Sequence, residues 1–401
     1  MTRQPPFGPM TRAIHAGETP DASSRASSPA IHMSSSFVSD SVSGFSAHDM
    51  TDDSPYCYTR WGNPTVKMLE DKIAAMQGTE ACLCTASGMA AATAIFLTFL
   101  SAGDHVIVSD ISYAGVAEFV RDTLPRMGVE VSTVDMSDAA NVAAAMRPNT
   151  RLVHSESPAN PIMRLADLAA ISAIAHDGGA LHSTDATFAS PIGIDAGALG
   201  VDLVMHSITK YVCGHGDAVG GAVAASADLV KQMRIEASIH HGGILSPFNA
   251  WLIARGASTL PLRMRAHEAG TRAVAEWLEG QRSVTSVCWP GLSSHPQHDL
   301  ARQQMRNFSG MLTFQVGDRA TGERIANAMI EKLKVIHYAV SLGHHRSLIF
   351  WLDSAGLIDT SFRLTGSAAD SYRAFAGDGV FRLSVGLEDH EDLIADLDQV
   401  L

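Results

Sequence analysis

The ten residues Asp202-Leu-Val-Met-His-Ser-Ile-Thr-Lys210-Tyr211 contain the pattern that decides the fold. A short apolar run of strand type ends in a polar turn, and that turn carries a lysine. Similar apolar runs recur upstream, and stretches of helical pattern such as Leu165–Ala175 separate them. Apolar strands that alternate with helices predict an α/β fold with a mostly parallel sheet flanked by helices. The predicted strands of this sheet are His105–Val108, Val129–Val134, Leu152–His154 and Val201–Met205.

The pattern changes after about residue 257, where one long helical stretch precedes three candidate strands and a last amphipathic helix from Asp389. This order predicts a smaller C-terminal α+β domain over residues 258–401, after a large domain over 63–257. The large domain begins with a helix at Val66–Met76, for which Asn63-Pro64-Thr65 is the start signal. The C-terminal elements are the helix Leu262–Gly280 and the strands Gly310–Val316, Leu333–Tyr338 and Phe381–Val385.

The first 55 or so residues are rich in Ser, Pro and Asp and show little periodicity. We predict that residues 1–62 form an extended arm, which becomes ordered against a partner surface. A flexible tail agrees with the same composition equally well.

Composition excludes several classes of protein. Of the 401 residues 46% are hydrophobic and only 18% are charged, which argues against disorder. The chain has 29 Lys and Arg against 42 Asp and Glu, and its formal charge is −13. With no block of consecutive basic residues, we expect neither a nucleic-acid partner nor an anionic membrane.

The cysteines and the N-terminus predict a cytoplasmic protein. The five cysteines are scattered and form no disulfide framework, which favours a reducing compartment. Met1–Arg12 has no apolar stretch, so no signal peptide is expected. The most apolar run, Met89–Leu100, is too short to span a bilayer.

Three features in the large domain have the chemistry of a cofactor site, although each has an ordinary interpretation too. Lys210 follows a strand, where ligand-binding groups of parallel sheets gather, but it is also a typical solvated loop lysine. Asp185 closes an apolar strand and suits a buried cationic nitrogen, or else a turn or helix cap. Ser87-Gly88-Met89 opens a helix whose bare N–H groups suit a phosphate, or is simply a Ser cap.

Taken together, the three features suit pyridoxal phosphate. In that combination the lysine forms an imine, the strand-end acid holds the pyridine nitrogen protonated, and the helix start binds the phosphate.

The sequence resembles the Cys/Met-metabolism family of pyridoxal-phosphate enzymes, which includes cystathionine γ-synthase, cystathionine lyases and methionine γ-lyase. The matching stretches occur in family order from about residue 11 to the C-terminus. They are Tyr58-Thr-Arg60-Trp-Gly-Asn-Pro64-Thr, Ser87-Gly-Met89, Glu156-Ser-Pro-Ala-Asn160-Pro, Asp185-Ala-Thr187, His206-Ser207-Ile-Thr209-Lys210-Tyr, Leu245-Ser-Pro247, Ser341-Leu-Gly343 and Arg382-Leu-Ser-Val-Gly-Leu-Glu388. The resemblance implies a fold-type-I pyridoxal-phosphate-dependent transferase fold.

The resemblance also implies the roles of the residues around the cofactor. Lys210 forms the imine and shuttles protons, and Asp185 pairs with the pyridine nitrogen. Tyr113 stacks on the ring and helps to release the γ-substituent. The other implied cofactor contacts are Asn160 at the ring hydroxyl, Thr187 beside the ring, and Gly88, Met89, Ser207 and Thr209 at the phosphate.

A second group of implied roles concerns the substrate and a second copy of the chain. Arg382 clamps the substrate carboxylate, with Ser341 and Asn160 beside it. Tyr58 and Arg60 reach the phosphate in the neighbouring subunit, which gives the arm before them a purpose. The implied assembly is a homotetramer built from two dimers with shared active sites.

The implied reaction is γ-elimination on an L-homoserine-derived amino acid with a sulfur, oxygen or oxyguanidine substituent at Cγ, of the methionine, cystathionine, O-acylhomoserine or canavanine type. γ-Replacement, as in cystathionine γ-synthase or an O-acylhomoserine sulfhydrylase, has the same acid–base demands. A non-catalytic relative that only binds the cofactor is the alternative from another class.

Four departures from the family subgroups make the usual sulfur substrates poorer predictions. Gly115 stands where methionine γ-lyases typically carry Cys, and Ser238-Ile239 aligns with their Lys-Asp pair. Cys57 and Val340 stand where cystathionine enzymes usually have acids. Asp49, Asp52 and Asp53, just before the Tyr58 motif, suggest a cationic or guanidino γ-substituent as in canavanine, although a solvated acidic turn is the better explanation of them.

Two His-His pairs, His240-His241 and His344-His345, lie in the segments near the implied substrate site. Adjacent side chains rarely share one metal ion on regular structure. We therefore predict no metal site, and interpret the histidines as surface residues or as groups near the distal end of the substrate.

Overall fold

The structure, a computed structural model, describes residues 7–40, 46–47 and 54–401. The chain divides into two compact units. The first comprises Met1–Phe99 and Asp202–Pro261, and the second comprises Leu100–Val201 and Leu262–Leu401. The domain boundaries drawn from the sequence, 1–62, 63–257 and 258–401, stay a prediction.

Within the described residues the strands are β1 Ala81–Thr85, β2 His105–Ser109, β3 Glu130–Val134, β4 Thr150–Glu156, β5 Leu181–Asp185, β6 Leu203–His206, β7 Gly221–Ala225, β8 Ser286–Cys288, β9 Met311–Gln315, β10 His337–Tyr338, β11 Leu348–Asp353 and β12 Gly379–Ser384. The α-helices of the same residues are α1 Pro9–His15, α2 Pro64–Gln77, α3 Gly88–Phe99, α4 Ala114–Glu118, α5 Ala139–Ala145, α6 Leu168–Asp177, α7 Ser190–Gly193, α8 Ala227–Met233, α9 Pro247–Ala257, α10 Leu260–Glu279, α11 His298–Gln304, α12 Arg319–Lys332, α13 Ser354–Leu357, α14 Gly366–Ala376 and α15 His390–Asp398.

In the first unit, β1, β7 and β6 lie side by side in that order as antiparallel neighbours. The register places Thr85 opposite Gly221. Only glycine fits at 221, because a Cβ there would lie 2.1 Å from the carbonyl oxygen of Ser87. This close approach holds the turn between β1 and α3 against the start of β7.

Part of the predicted arm packs on its own unit. Helix α1, which the sequence pattern did not predict, lies against α2. The Lys72 ammonium of α2 is buried and donates to the carbonyl oxygens of Ala13 at 2.7 Å and Ile14 at 3.0 Å. It also forms an ion pair with Glu18 at 2.8 Å. A buried cation thus anchors the first described residues to the body of the unit.

Four strands of the second unit lie in the order β5, β4, β2 and β3, and each neighbouring pair is parallel. Helix α6 packs on β4 and β5, and α5 packs on β3. This arrangement agrees with the predicted α/β class. The register aligns Glu156 with Asp185, the last residues of β4 and β5, so the two carboxylates are neighbours at the carboxyl edge of the sheet.

A second sheet in this unit has the strand order β10, β11, β12, β9, β8. It packs its apolar face around Trp289, Phe314 and Phe381. The predicted strand Leu333–Tyr338 is wrong over most of its length, because only His337–Tyr338 pairs with β11. The backbone N–H groups of residues 334–336 donate instead to the buried carboxylate of Asp396. None of the described helices combines the length and the apolarity needed to cross a membrane.

Candidate active site

The turn after β6 carries Lys210 in the first unit. The backbone N–H of Lys210 donates to the carbonyl oxygen of Ser207 at 3.1 Å, and its own carbonyl accepts from Gly214 at 2.8 Å. The hydroxyl of Thr209 accepts from the N–H of Gly220 at 3.0 Å and donates to the Gly220 carbonyl at 3.1 Å. These bonds hold the turn to the residue before β7, so the backbone on both sides of Lys210 is fixed. The Lys210 side chain itself is half-buried.

Gly88 and Ser207 meet in the same unit, at the first turn of α3. A Cβ at Gly88 would lie 2.8 Å from the Cβ of Ser207 and 2.9 Å from its hydroxyl oxygen. The residue must therefore be glycine, and its backbone lies directly beside a hydroxyl group. Met89 follows as the second residue of α3, a helix of 12 residues whose N-terminal N–H groups attract anions. A glycine backbone, a hydroxyl and a helix start are groups that can bind a phosphate.

Tyr58 and Arg60 lie together in the same unit. The Arg60 guanidinium carbon is 5.5 Å from the centroid of the Tyr58 ring, and one guanidinium nitrogen donates to the carbonyl oxygen of Ile239. Tyr58 is 41% exposed on the single chain.

Asp185 and Thr187 follow β5 in the second unit. The Asp185 carboxylate is buried and accepts the backbone N–H of Thr187 at 2.9 Å. Burial raises the pKa of Asp185, because the charged form is poorly solvated there. A buried carboxyl of this kind gains from a cationic partner, which is the environment that a protonated ring nitrogen supplies.

Glu156 begins one of the sequence stretches that match the family, but no role was predicted for it. Its Oε2 accepts the backbone N–H of Tyr113 at 2.7 Å, and its Oε1 accepts that of Asn160 at 2.8 Å. Burial, followed by the charge of Asp185, raises the pKa of Glu156 well above its usual value. Its place two residues after the predicted strand Leu152–His154 was the signal that could have found it.

Arg382, Asn160 and Ser341 form one hydrogen-bonded group in the second unit. Arg382 Nη1 donates to Asn160 Oδ1 at 2.7 Å, and its Nη2 donates to the Ser341 carbonyl oxygen at 3.4 Å. Ser341 has a φ of 88°, which a non-glycine residue rarely adopts. Its hydroxyl lies 3.3 Å from Nε2 of His344. The guanidinium is therefore held in one orientation, as a clamp for a carboxylate requires.

Tyr113 is the N-cap residue of α4 and its side chain is 49% exposed. The first unit therefore brings together Gly88, Ser207 and the turn of Thr209 and Lys210. The second brings Asn160, Ser341 and Arg382 together, and links Tyr113 to Asn160 through Glu156.

The pair His240-His241 is exposed, and His344-His345 is half-buried. His240 Nδ1 is 3.1 Å from Oε2 of Glu236, and both side chains are at the surface. Across the part of the chain that the structure describes, no three His, Cys, Asp or Glu side chains are grouped to hold a metal ion. Asp49, Asp52 and Asp53 lie outside the described residues.

The chain is similar to known proteins along nearly its whole length. The family model described as Cys/Met metabolism PLP-dependent enzyme matches residues 10–401. Canavanine gamma-lyase of Pseudomonas canavaninivorans is 41% identical over 396 residues, which cover 98% of this chain and 95% of that protein. Cystathionine gamma-synthase of Mycobacterium bovis is 38% identical over 394 residues, which cover 98% of this chain and 97% of that protein. The crystal structure of metB from Corynebacterium glutamicum aligns with a TM-score of 0.88 and 33% identity, covering 99% of both chains.

Proposed function

Because the chain belongs to the Cys/Met metabolism family of pyridoxal-phosphate-dependent enzymes, we propose that it acts on canavanine, the oxyguanidine ether of homoserine, by breaking the Cγ–O bond. The protein is an enzyme of γ-elimination or γ-replacement with a fold-type-I architecture, and its cofactor is pyridoxal 5′-phosphate. The resemblance read from the sequence is thus confirmed. The substrate, the residue roles and the assembly are the proposal.

The first unit fits the phosphate end of the cofactor. At Gly88 a Cβ would fill the space beside the Ser207 hydroxyl, so bare backbone is available to an oxyanion there. Gly88, Met89, Ser207 and Thr209 bind the phosphate, and Lys210 carries the amine that bonds the cofactor. Tyr58 and Arg60 complete the phosphate site in the neighbouring subunit.

The second unit supplies the groups for the ring and the substrate. Asp185 binds the protonated pyridine nitrogen, with Thr187 beside the ring, Asn160 at the ring hydroxyl and Tyr113 on the ring face. When bound, the cofactor acts as an electron sink that stabilises negative charge on the substrate carbon atoms.

The observation that carries the proposal is the Arg382 clamp. Its guanidinium is oriented by Asn160 at 2.7 Å and by the Ser341 carbonyl, which suits bidentate binding of an α-carboxylate. Holding the carboxylate fixes the Cα–H and Cβ–H bonds of an amino acid relative to a base. Lys210 Nζ removes the Cα proton and then the Cβ proton, and the Tyr113 hydroxyl protonates the departing oxygen.

Canavanine is preferred over the sulfur substrates for two reasons. Gly115, Ser238, Cys57 and Val340 replace residues that the methionine and cystathionine subgroups typically use. The canavanine gamma-lyases are 41% and 42% identical to the chain, whereas methionine gamma-lyases and cystathionine gamma-synthases that match the same 98% of it are 38% identical. The likeness to cystathionine γ-synthases keeps γ-replacement as the second candidate.

A substrate panel tests the proposal on the cofactor-loaded protein. Canavanine and water should give hydroxyguanidine with either homoserine, or 2-oxobutanoate and ammonia, and no thiol should be required. We expect kcat/KM for canavanine to exceed those for methionine, homocysteine, cystathionine and O-acylhomoserines by about tenfold or more, as substrate discrimination of this kind allows. The assay quantifies hydroxyguanidine, homoserine, 2-oxobutanoate and ammonia separately.

Three other results of the substrate panel would each change the proposed function. Fastest turnover of methionine or cystathionine would overturn the substrate assignment. Turnover that depends on added thiol would identify a γ-replacement enzyme. Silence on the whole panel, with cofactor bound, would favour the non-catalytic alternative.

The proposal includes a homotetramer of two dimers that share their active sites. Its support is the exposed Tyr58 beside Arg60, together with the family's need for these two residues at a phosphate. A cytoplasmic location is also proposed, on the support of five cysteines that are all free thiols.

Complementation between two inactive variants tests the shared site. Arg60→Ala and Lys210→Ala should each be inactive alone. Co-expressed, about half of the dimers combine the two chains, and one of their two sites then has both residues intact, so about a quarter of wild-type activity should return. Activity of each preparation is measured at equal cofactor content. Mixed dimers, isolated by two affinity tags, that stay inactive would show that Arg60 serves its own subunit.

A further inference from the structure

We propose that Glu156 is a positioning residue for the reaction, which fixes the backbone of Tyr113 and, through Asn160, the guanidinium of Arg382. This inference rests on the roles that the proposed function gives to Tyr113 and Arg382. It adds a residue that does not itself touch the substrate but determines where two substrate-facing groups lie.

The carboxyl group of Glu156 bridges two segments of the chain. Glu156 is the last residue of β4, so its backbone is anchored in the parallel sheet. Each of its two oxygens accepts one backbone N–H, from Tyr113 at 2.7 Å and from Asn160 at 2.8 Å. One rigid side chain thus joins two segments that are far apart in sequence. Both distances lie at the short end of the normal range for N–H···O hydrogen bonds.

Each of the two Glu156 hydrogen bonds fixes a segment that carries a proposed active-site group. Tyr113 is the N-cap of α4, so its N–H bond sets the start of that helix and the base of the aromatic side chain. Asn160 passes the constraint on, because its Oδ1 accepts from Arg382 Nη1 at 2.7 Å. Movement of either segment would shift a ring-stacking group or a carboxylate clamp, and catalysis is sensitive to such misplacement.

The surroundings of Glu156 act in opposite directions on the charged form of its carboxyl group. The side chain is 6% exposed, and burial and the neighbouring Asp185 both disfavour its charged form. The two N–H donors and the charge of Arg382 favour that form. A buried carboxylate beside another acid is costly to maintain, which argues that its acceptor pair has a use at this edge of the sheet.

Glutamine at position 156 separates the positioning role from simple space filling. It has nearly the same shape as glutamate, but its amide offers one oxygen and one NH2 group. One of the two backbone N–H groups then faces a donor, so one link is broken while the packing is kept. Aspartate at 156 keeps the charge but is too short to reach both N–H groups.

A matched control lies elsewhere in the second unit. Asp396 is 3% exposed and its carboxylate accepts the backbone N–H groups of Val335 and Ile336, both at 2.9 Å. Asp396→Asn removes an acceptor of the same kind at the edge of the second sheet. It should lower stability without changing the active site.

The experiment uses the holoenzyme of wild type, Glu156→Gln, Glu156→Asp and Asp396→Asn. L-2-Aminobutyrate, a homoserine-type amino acid without a γ leaving group, is titrated while the visible circular dichroism of the bound cofactor is followed. We expect the Kd of this probe to rise about tenfold or more in both Glu156 variants, with an altered dichroic band, and to stay within about twofold of wild type in Asp396→Asn. The Kd for pyridoxal phosphate and the melting temperature are measured in parallel.

Wild type that binds no L-2-aminobutyrate would refute the proposed function, whatever the variants do. Wild type that binds the probe, with folded Glu156 variants of unchanged Kd and dichroism, would overturn the positioning role alone. Failure of both Glu156 variants to fold, while Asp396→Asn folds, would show a purely structural role and would overturn it too.

Discussion

Replacing Lys210 with alanine should lower kcat of the holoenzyme by about a thousandfold or more, while the cofactor still binds. The expected loss is large because, in the proposed function, Lys210 both bonds the cofactor and moves the two protons. Its turn is fixed by the bonds of Thr209 to Gly220, so an alanine there should leave the backbone in place. Turnover of canavanine and cofactor content are measured on the same sample.

The lysine that bonds the cofactor can be identified directly. The chain has only six lysines, so borohydride reduction of the holoenzyme followed by peptide mass spectrometry has few possible outcomes. Lys72 is a poor candidate, because its ammonium is buried and bound to Ala13, Ile14 and Glu18. We expect the reduced cofactor on the peptide that contains Lys210.

The matched control is Lys231→Ala, an exposed lysine of α8 in the same unit. This variant should keep wild-type turnover and the same reduced peptide. Full turnover by Lys210→Ala, or a cofactor adduct on any other lysine, would refute the assignment and with it the proposed proton transfers.

Apolar strands of the fold were predictable where burial on both faces leaves a continuous apolar run. His105–Ser109 and Leu203–His206 are of this kind, and the predicted boundaries differ from them by two residues or fewer. Strands β1 and β7 were not predicted, since their Ala, Gly and Cys residues have no strong strand preference. Their pairing depends on close approaches such as Gly221 to Ser87, which are visible only in three dimensions.

The proposed cofactor residues could be predicted from the sequence for a similar reason. Lys210 and Asp185 follow apolar strands, so a pattern of strand followed by functional group finds them. Glu156 has the same placement, yet its proposed positioning role depends on the N–H groups of Tyr113 and Asn160, which only the folded chain brings near it. Likewise, Asp396 replaces the strand expected at Leu333–Tyr338 by binding its backbone, a long-range contact that local pattern cannot contain.

Acid should destabilise this protein strongly, well before its carboxylates are fully protonated, because four histidines are buried in the neutral form. Burial lowers the pKa of His154, His267 and His295 to about 4. Burial also lowers the pKa of His182 to about 3. His182 is fixed by Ser155 at 2.9 Å and Ser172 at 2.7 Å within the second unit.

The unfolding free energy falls with falling pH because the unfolded histidines bind protons that the buried ones do not. An unfolded histidine has a pKa near 6.5 and binds a proton below it, whereas the buried ring does not. The unfolded state therefore gains stability as the pH falls from about 6.5 toward the folded value, and the native state loses the advantage that it has at neutral pH. Each shift of this size corresponds to on the order of 3 kcal/mol, a large fraction of a typical unfolding free energy.

His182→Gln isolates the contribution, because glutamine has no charge to gain in this pH range. The variant should be less stable than wild type at pH 7.5, since it loses the bonds to Ser155 and Ser172, but its unfolding free energy should fall less steeply between pH 6.5 and 4. The control is His390→Gln, the same substitution at an exposed histidine of α15. Denaturant unfolding of the holoenzyme at fixed concentration measures all three. Parallel slopes for wild type and His182→Gln would mean that His182 is charged in the folded protein.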